Sequence, residues 1–316
     1  MILISGLRSI YFGTDDTSIY YSFFLRDSSR SFADIWQTEW KDPVYYVFIK
    51  FLSYFFPNDF NGILLICAAI FVIPVCILIY KESSDPFASF VILVCMGFFF
   101  FSMNGIRQSL AFGFLILSYF SLKKRRLISF LILVAIAGCF HKTALIFVII
   151  YPLSLLGFNY KTIGCYFCLF LLSLIYGGTF LNLLTSSISQ YDARLEFYEL
   201  GRVTLTYSGL VQLILLTSFS FLYRKRLLAT DKSNIILFHL MFIAIIFQTM
   251  SSQIAEMFRI AMYFSIFMII LIPRTFYAIS RPERKLVKFA FLSLLLIYYF
   301  FWGVGTIPYM FYFQQS

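Results

Sequence analysis

The sequence predicts an all-α, polytopic integral membrane protein, and three observations support this fold class. The chain of 316 residues is 61% hydrophobic and only 13% charged, with a mean hydropathy of +0.86. A soluble domain of this composition would have too few polar side chains to cover its surface. The apolar residues form long continuous runs, and within lipid a helix satisfies every backbone group of such a run. We therefore expect a single transmembrane domain over residues 1–316 with about ten transmembrane helices.

The N-terminal part is predicted to lie at the outer face of the membrane. The apolar run at residues 1–7 is far shorter than the roughly 20 residues that a spanning helix needs. Residues 19–40 mix charged and aromatic side chains, which predicts amphipathic helices with Trp36 and Trp40 as anchors at headgroup level. Residues 8–60 are therefore expected to form an outer-face interfacial segment.

A break divides this segment. Asp42 and Pro43 interrupt the chain, and the short apolar run at 44–56 contains Lys50. This run is too short and too polar to cross a bilayer, so it predicts a re-entrant or interfacial helix.

Apolar runs of greater length follow, separated by polar turns. The predicted spans cover residues 61–80, 86–101, 105–122, 127–140, 143–156, 160–184, 205–223, 233–250, 254–279 and 286–304. The polar stretch at 185–204 is the longest connection between two spans and is expected to be an outer, periplasmic loop.

The positive charges sort by membrane side. Lysines and arginines cluster in the loops predicted to be cytoplasmic, at 81, 123–126, 161, 224–226, 232 and 281–288. The net charge of +10 therefore reflects membrane topology, and no nucleic-acid partner is expected. This topology places Arg107 and His141 at the outer face.

The stretch from Phe98 to His141 contains the clearest site signal. Asn104, Arg107 and Gln108 lie where one apolar run ends and the next begins, and a charge in hydrocarbon is expensive enough to indicate function. Further charged residues cluster at outer helix ends. We expect substrate binding by Arg8, Asn104, Arg107, Gln108, Arg194, Arg202 and Arg259, and catalysis by Asp15, His141 and Glu256.

These residue types suit chemistry on a phosphate or pyrophosphate. Guanidinium groups form paired hydrogen bonds with phosphate oxygens and stay charged at any working pH. A carboxylate or a histidine nearby could accept a proton from an attacking hydroxyl. Outer tyrosines and tryptophans offer flat faces to sugar rings. With two histidines in the chain and no metal-binding spacing, no metal and no cofactor are expected.

Structural alternatives stand beside these assignments. Arg107 could extend its charge to the interface without a ligand, and His141 could be an ordinary helix-end residue. Glu256 and Arg259 could form an internal ion pair, and the charges of 185–204 could belong to a solvated loop. His239 and the Cys165/Cys168 pair are interpreted as buried structural residues.

Several short motifs resemble a known family. In chain order they are Arg8…Gly13-Thr14-Asp15…Tyr20, Asp42-Pro43-Val44-Tyr45, Asn104-Gly105-Ile106-Arg107-Gln108 and His141-Lys142-Thr143-Ala144, with a looser continuation through Glu256, Arg259 and Tyr263. Their order and shared sidedness resemble the EpsG-type branch of the Wzy polysaccharide polymerases.

The resemblance implies a glycosyltransferase of the bacterial inner membrane with its active site facing the periplasm. Such an enzyme makes O-antigen, capsule or other surface polysaccharide from undecaprenyl-pyrophosphate-linked repeats, which serve as donor and acceptor. Membrane lipid surrounds it, and a flippase and chain-length regulator proteins are further expected partners. The family pattern begins with a spanning helix, and we interpret the run at residues 1–7 either as a truncated form of that helix or as a segment that only dips into the outer leaflet.

Two other functions fit parts of the sequence. A flippase or secondary transporter would also be polytopic and basic, but it should carry polar residues near the membrane midplane and an internal repeat, which the sequence does not display. An O-antigen ligase would share the chemistry and sidedness of a polymerase and differ in its acceptor.

Overall fold

A computed structural model describes residues 1–12, 16–39, 42–185, 203–251, 257–303 and 309–314. Within these ranges the chain is helices and turns, with one isolated β-bridge between Arg8 and Phe311. The prediction of an all-α, polytopic membrane protein is confirmed. The helices fall into two compact units, residues 1–148 with 288–316 and residues 149–287.

The first unit is built from short N-terminal helices followed by a series that includes the long helices α5 and α8. Its helices are α1 (Ile2–Gly6), α2 (Asp16–Ser28), α3 (Phe32–Thr38), α4 (Pro43–Ser53), α5 (Phe60–Glu82), α6 (Pro86–Cys95), α7 (Phe98–Asn104), α8 (Ile106–Lys123), α9 (Leu127–Phe140) and a 3-10 helix (Lys142–Ile149). The second unit contains α10 (Ile150–Leu153), α11 (Tyr160–Thr185), α12 (Val203–Leu222), α13 (Arg224–Thr230), α14 (Asn234–Met250), α15 (Met257–Ser265) and α16 (Met268–Ala278). Helix α17 (Arg281–Tyr298) leads back into the first unit and continues as a π-helix (Tyr299–Gly303), and a final 3-10 turn follows at Tyr312–Gln314.

Several described helices are long and apolar enough to cross a membrane. Phe60–Glu82 and Tyr160–Gly177 qualify on their own. Two bent pairs, α6 with α7 and α15 with α16, qualify when each pair is taken as one span. Shorter apolar helices of 10–17 residues accompany them. The total of about ten spans, the single domain over 1–316 and the membrane depth of 8–60 remain predictions, and most of the predicted loop at 185–204 lies outside the described residues.

The N-terminal segment forms the predicted short helices. Ser31 and Asp34 cap α3 reciprocally, each side chain bonding to the other's backbone N–H, so the helix begins at Phe32. Pro43 occupies the first turn of α4, where its missing N–H costs nothing. Helices α2 and α4 bury aromatic side chains against α5, and this aromatic core forms the floor of the candidate site.

The predicted helix over 86–101 is broken in the structure. Gly97 adopts φ of +79°, a left-handed conformation that glycine reaches without a steric penalty. Helices α6 and α7 consequently meet at an angle of 53°. The break lets α7 end at Asn104, directly before α8.

Two further predicted helices also differ from expectation. The helix predicted over 143–156 begins as a 3-10 helix, Lys142–Ile149, and only Ile150–Leu153 is α-helical. Pro152 has no N–H to bond with the carbonyl of Val148, which interrupts an α-helical ladder here. The helix predicted over 254–279 is described from Met257 and bends by 44° between α15 and α16.

Helices α5 and α8 pack closely because Gly113 has no side chain. A Cβ atom at this position would collide with the backbone carbonyl oxygen of Ile70. Small residues allow such backbone approach between helices in a membrane. This contact holds α8, and with it Arg107, against α5.

We expect Gly113→Ala to destabilise the protein by about 1–3 kcal/mol, because the added methyl group must displace backbone. The measurement is the thermal unfolding of the purified protein in detergent. Gly164→Ala is the matched control, since a Cβ on this helical glycine meets nothing within 4 Å and alanine has the higher helix propensity. Equal unfolding temperatures for Gly113→Ala and the wild type would contradict the close α5–α8 packing.

Candidate active site

The centre of the candidate site is the carboxylate of Asp42. Its Oδ2 lies 3.2 Å from Nη1 of Arg107 and 3.1 Å from Nδ1 of His141. Its Oδ1 accepts a hydrogen bond of 3.1 Å from the backbone N–H of Lys142. The Asp42 side chain is 2% exposed. One buried carboxylate therefore joins the start of α4, the start of α8 and the end of α9.

The backbone of Asp42 explains why its side chain points toward these partners. Asp42 has φ of 57° and ψ of 52°, a left-handed conformation that is unfavourable for a residue with a side chain. It precedes α4 but forms no side-chain cap on that helix. Its carboxylate instead contacts groups from the α8–α9 hairpin, which compensates the strain.

The surroundings of Asp42 favour its ionised form. Burial by itself would raise the pKa of Asp42. The hydrogen bonds from His141 and from the N–H of Lys142, together with the charge of Arg107, outweigh burial and lower the pKa of Asp42 below its ordinary value. Asp42 is consequently a hydrogen-bond acceptor that positions its partners, and it is a weak proton acceptor.

Arg107 is held between Asp42 and three aromatic rings. Its Cζ lies 5.8 Å from the ring centroid of Tyr20 and 6.0 Å from those of Tyr45 and Tyr46. Its side chain is 19% exposed, and its buried Nε has no hydrogen-bond partner among the described residues. Asp42 engages only Nη1, and Tyr20 is a further side-chain hydrogen-bond partner. Because a guanidinium has five N–H donors, some remain for an anionic ligand.

His141 is oriented by the same carboxylate. Because an ionised carboxylate can only accept hydrogen bonds, Nδ1 of neutral His141 carries the proton and donates it to Asp42. Nε2 is then the acceptor nitrogen of the ring, and the side chain is 15% exposed. An imidazole fixed in this way can accept a proton from a substrate hydroxyl.

Arg8 is predicted to bind substrate, and it lies deeper than expected. It is 1% exposed and donates to the backbone carbonyl oxygens of Ser5 and Met103, while Asn61 donates to the Arg8 carbonyl over 2.9 Å. Burial lowers the pKa of Arg8 to about 10, which leaves it charged at neutral pH. These contacts connect the segment after α1 to the end of α7. Substrate binding by Arg8 remains a prediction.

The structure places the other predicted residues as follows. Asn104 is the last residue of α7 and donates to the carbonyl of Phe100 over 3.3 Å, and Gln108 is buried in the first turn of α8. Arg259 lies on α15 in the second unit, with Cζ 5.9 Å from the Phe258 ring. The remaining predicted site residues, which lie outside the described residues, are Asp15, Arg194, Arg202 and Glu256.

Of the predicted site residues, the structure brings Arg107 and His141 to one carboxylate. The residue that joins them, Asp42, is not among the predicted site residues. Its sequence signal is the pair Asp42-Pro43, which we interpreted only as a break and as part of a family motif. The aromatic rings of Tyr20, Tyr45 and Tyr46 were also absent from the prediction, because their proximity to Arg107 depends on tertiary packing.

His239, which we interpreted as a buried structural residue, has two polar partners in the structure. It is fully buried, accepts a hydrogen bond of 2.7 Å at Nδ1 from the hydroxyl of Tyr166 and lies 3.2 Å through Nε2 from the carbonyl oxygen of Leu156. These two contacts satisfy both ring nitrogens, which is what a buried structural histidine requires.

The lowered pKa of Asp42 predicts a pH-dependent stability. A carboxyl group whose pKa is depressed on folding stabilises the protein above its unfolded pKa of about 3.9, and this contribution is lost as the pH falls through the folded value. We expect Asp42→Asn to destabilise the protein at pH 7 by roughly 2 kcal/mol, with the difference from wild type narrowing below about pH 4. Thermal unfolding of both proteins in detergent, from neutral pH to below about pH 4, measures this difference in stability.

Asp59→Asn is the control for this experiment, because Asp59 caps α5 through the N–H of Gly62 and asparagine caps a helix equally well. A stability difference between Asp42→Asn and wild type that stays constant from neutral to acid pH would contradict the proposed charge on Asp42.

The comparisons with known proteins agree with the resemblance seen in the sequence motifs. No curated protein and no solved structure matches the chain significantly. The family model described as the EpsG family matches residues 1–314. This match includes every part of the Asp42, Arg107 and His141 cluster and nearly the whole chain, so the protein belongs to the EpsG family.

Proposed function

We propose that the protein joins undecaprenyl-pyrophosphate-linked oligosaccharide repeats into a surface polysaccharide at the outer face of a bacterial inner membrane. Membership of the EpsG family supports a polymerase-like, glycosyltransferase-like role in polysaccharide biosynthesis. The lipid-linked donor, the membrane side and partnership with a flippase and a chain-length regulator belong to the proposal. The observation that carries it is the carboxylate of Asp42 holding both a histidine and a partly exposed arginine.

The proposed reaction is the displacement of a lipid pyrophosphate by a sugar hydroxyl. The hydroxyl of the acceptor repeat attacks the anomeric carbon of the donor glycan, and a new glycosidic C–O bond forms. The C–O bond between that carbon and the pyrophosphate breaks, and the bonding electrons leave with the pyrophosphate oxygen. The hydroxyl proton passes to a general base. The growing glycan is thereby moved onto the next repeat.

Arg107 is the residue that we assign to the pyrophosphate. Negative charge builds on the leaving oxygens as the glycosyl bond breaks, so a fixed cation there stabilises the transition state more than the ground state. Asp42 and the rings of Tyr20, Tyr45 and Tyr46 fix the guanidinium in advance, which removes the cost of ordering it during the reaction. In this proposal the charge compensation comes from arginine and requires no metal ion.

His141 is the residue that we assign as general base. Its Nδ1–H donates to Asp42, which keeps the accepting electron pair on Nε2 and holds the ring in one orientation. When Nε2 takes the proton, the ring becomes positively charged next to the Asp42 carboxylate, which stabilises it. Asp42 is thus a positioning residue in this scheme. The predicted contributions of Asp15 and Glu256 remain proposals.

Two conservative substitutions test these roles separately. In His141→Asn the amide nitrogen can still donate to Asp42 in place of Nδ1, but no atom replaces Nε2. In Arg107→Lys the positive charge next to Asp42 is kept, but the planar set of N–H donors is lost. We expect both variants to be present in the membrane at wild-type level and to reduce long-chain polysaccharide by at least about 100-fold. Glycan ladders on gels and immunoblots of the membrane fraction measure the two quantities.

Arg30→Lys is the matched control, because Arg30 also pairs with buried or half-buried carboxylates, at 2.9 Å from Asp27 and 3.3 Å from Glu39, but lies in a separate cluster. It should leave the ladder unchanged. Normal ladders from His141→Asn would exclude His141 as the general base.

Deletion of the gene distinguishes the candidate functions. Single-repeat glycan at the surface indicates a polymerase, absence of any surface glycan indicates a flippase, and free polymer indicates a ligase.

A further inference from the structure

The second unit contains an apolar cleft that the proposed function does not use. Helices α11 and α12 both pack on α14, and a cleft of about 280 Å³ lies between them. Its walls include Ile163, Phe167 and Ile214, and its floor includes Phe242 and Ile246. None of the described residues that line it is charged. A cleft of this size approaches the lower end of the volumes that hold small ligands in proteins.

The cleft opens on an exposed apolar side of α11 and α12, which would face lipid in a membrane. Its wall residue Phe167 is 61% exposed, and on either side α11 and α12 expose Ile175 (66%) and Leu215 (63%). Tyr160–Gly177 of α11 is one of the segments long and apolar enough to cross a membrane. A lipid chain can therefore enter the cleft sideways without crossing water.

One end of the cleft carries positive charge. The ring of Phe221 forms part of the lining, and the guanidinium of Arg224 lies 4.2 Å from its centroid. Nη1 of Arg224 donates to the carbonyl oxygen of Phe221 over 3.2 Å. The guanidinium has further N–H groups that can bind an anionic headgroup. Lys161 and Lys225, both exposed, lie near the same helix ends. The cleft is thus apolar along its length and basic where it ends.

One residue that lines the cleft near this basic end has a buried hydroxyl group. Thr217 lines the cleft and is 2% exposed, and its Oγ1 has no hydrogen-bond partner among the described residues. An unbonded hydroxyl in an apolar site is costly, so this position favours a ligand that offers an oxygen atom to Thr217. Thr217 precedes Phe221 by one helical turn, about 6 Å along the axis. In a glycerophospholipid, ester carbonyls follow the phosphate across the short glycerol backbone.

We propose that this cleft binds one anionic phospholipid molecule, with an acyl chain between α11 and α12, an ester oxygen at Thr217 and the phosphate at Arg224. The apolar walls match the chain, and the basic end matches an anionic headgroup. Thr217 distinguishes an ester-linked lipid from a polyprenyl chain, because a polyprenyl chain has no oxygen at that depth. The site is independent of the proposed function, since it uses none of the residues assigned to glycosyl transfer.

Native mass spectrometry of the full-length protein in detergent tests this proposal, with added phosphatidylglycerol or phosphatidylcholine of identical acyl chains as probes. We expect wild type to retain one phosphatidylglycerol molecule in preference to phosphatidylcholine. Ile214→Trp should fill the cleft and abolish this retention, and Leu215→Trp, on the neighbouring exposed face, should not. Arg224→Gln should weaken binding of phosphatidylglycerol about fivefold, whereas Lys124→Gln, in another basic loop, should not.

Several results would overturn the proposal. Equal retention of both lipids by wild type would indicate unspecific lipid at the protein surface. Equal effects of Ile214→Trp and Leu215→Trp would remove the cleft as the site. Displacement of phosphatidylglycerol by a lower concentration of polyprenyl phosphate would assign the cleft to the isoprenoid chain instead. The comparison of phosphatidylglycerol with phosphatidylcholine on the wild-type protein tests the proposal even if a variant does not fold.

Discussion

The geometry of the candidate site depends on one buried carboxylate. The Asp42 side chain accepts hydrogen bonds from Arg107 at the start of α8 and from His141 and the backbone of Lys142, which directly follow α9. An ionised group in apolar surroundings is stable only when its partners replace the water it loses. The strained backbone of Asp42, the start of α4 and the α8–α9 hairpin are therefore coupled: a change in one alters the charge balance at the others.

The same coupling divides the chemistry between two side chains. Asp42 occupies one nitrogen of His141 and one nitrogen of Arg107, so each keeps further nitrogen atoms for a ligand. A proton acceptor and a fixed cation are the two groups that displacement of a pyrophosphate by a hydroxyl requires. The close packing of α5 against α8 at Gly113 and the aromatic floor beneath Arg107 keep this arrangement rigid, which supports transition-state stabilisation by groups that need not reorganise.

The sequence predicts the fold class and part of this site, for different physical reasons. Composition and continuous apolar runs determine that the chain is helical, and positive charge in alternate loops places Arg107 and His141 at the same predicted face. Asp42 could not be assigned in this way, because an aspartate before a proline is typical of an ordinary helix start. Its role depends on a left-handed backbone and on tertiary contacts. The break at Gly97 was missed for a related reason, since a lone glycine in an apolar run is also compatible with a continuous helix.

The protonation of the two histidines tests the central role of Asp42 most directly. The chain contains two histidines, so nitrogen NMR of the protein with isotopically labelled histidine observes two rings. We expect opposite neutral tautomers: His141 carries its proton on Nδ1, facing Asp42, and His239 carries it on Nε2, facing the carbonyl of Leu156. Loss of one signal in His141→Asn assigns the rings, and Asp42→Asn should change the His141 ring alone. A His141 ring protonated at Nε2 when neutral, or one unaffected by Asp42→Asn, would contradict the positioning of His141 by Asp42.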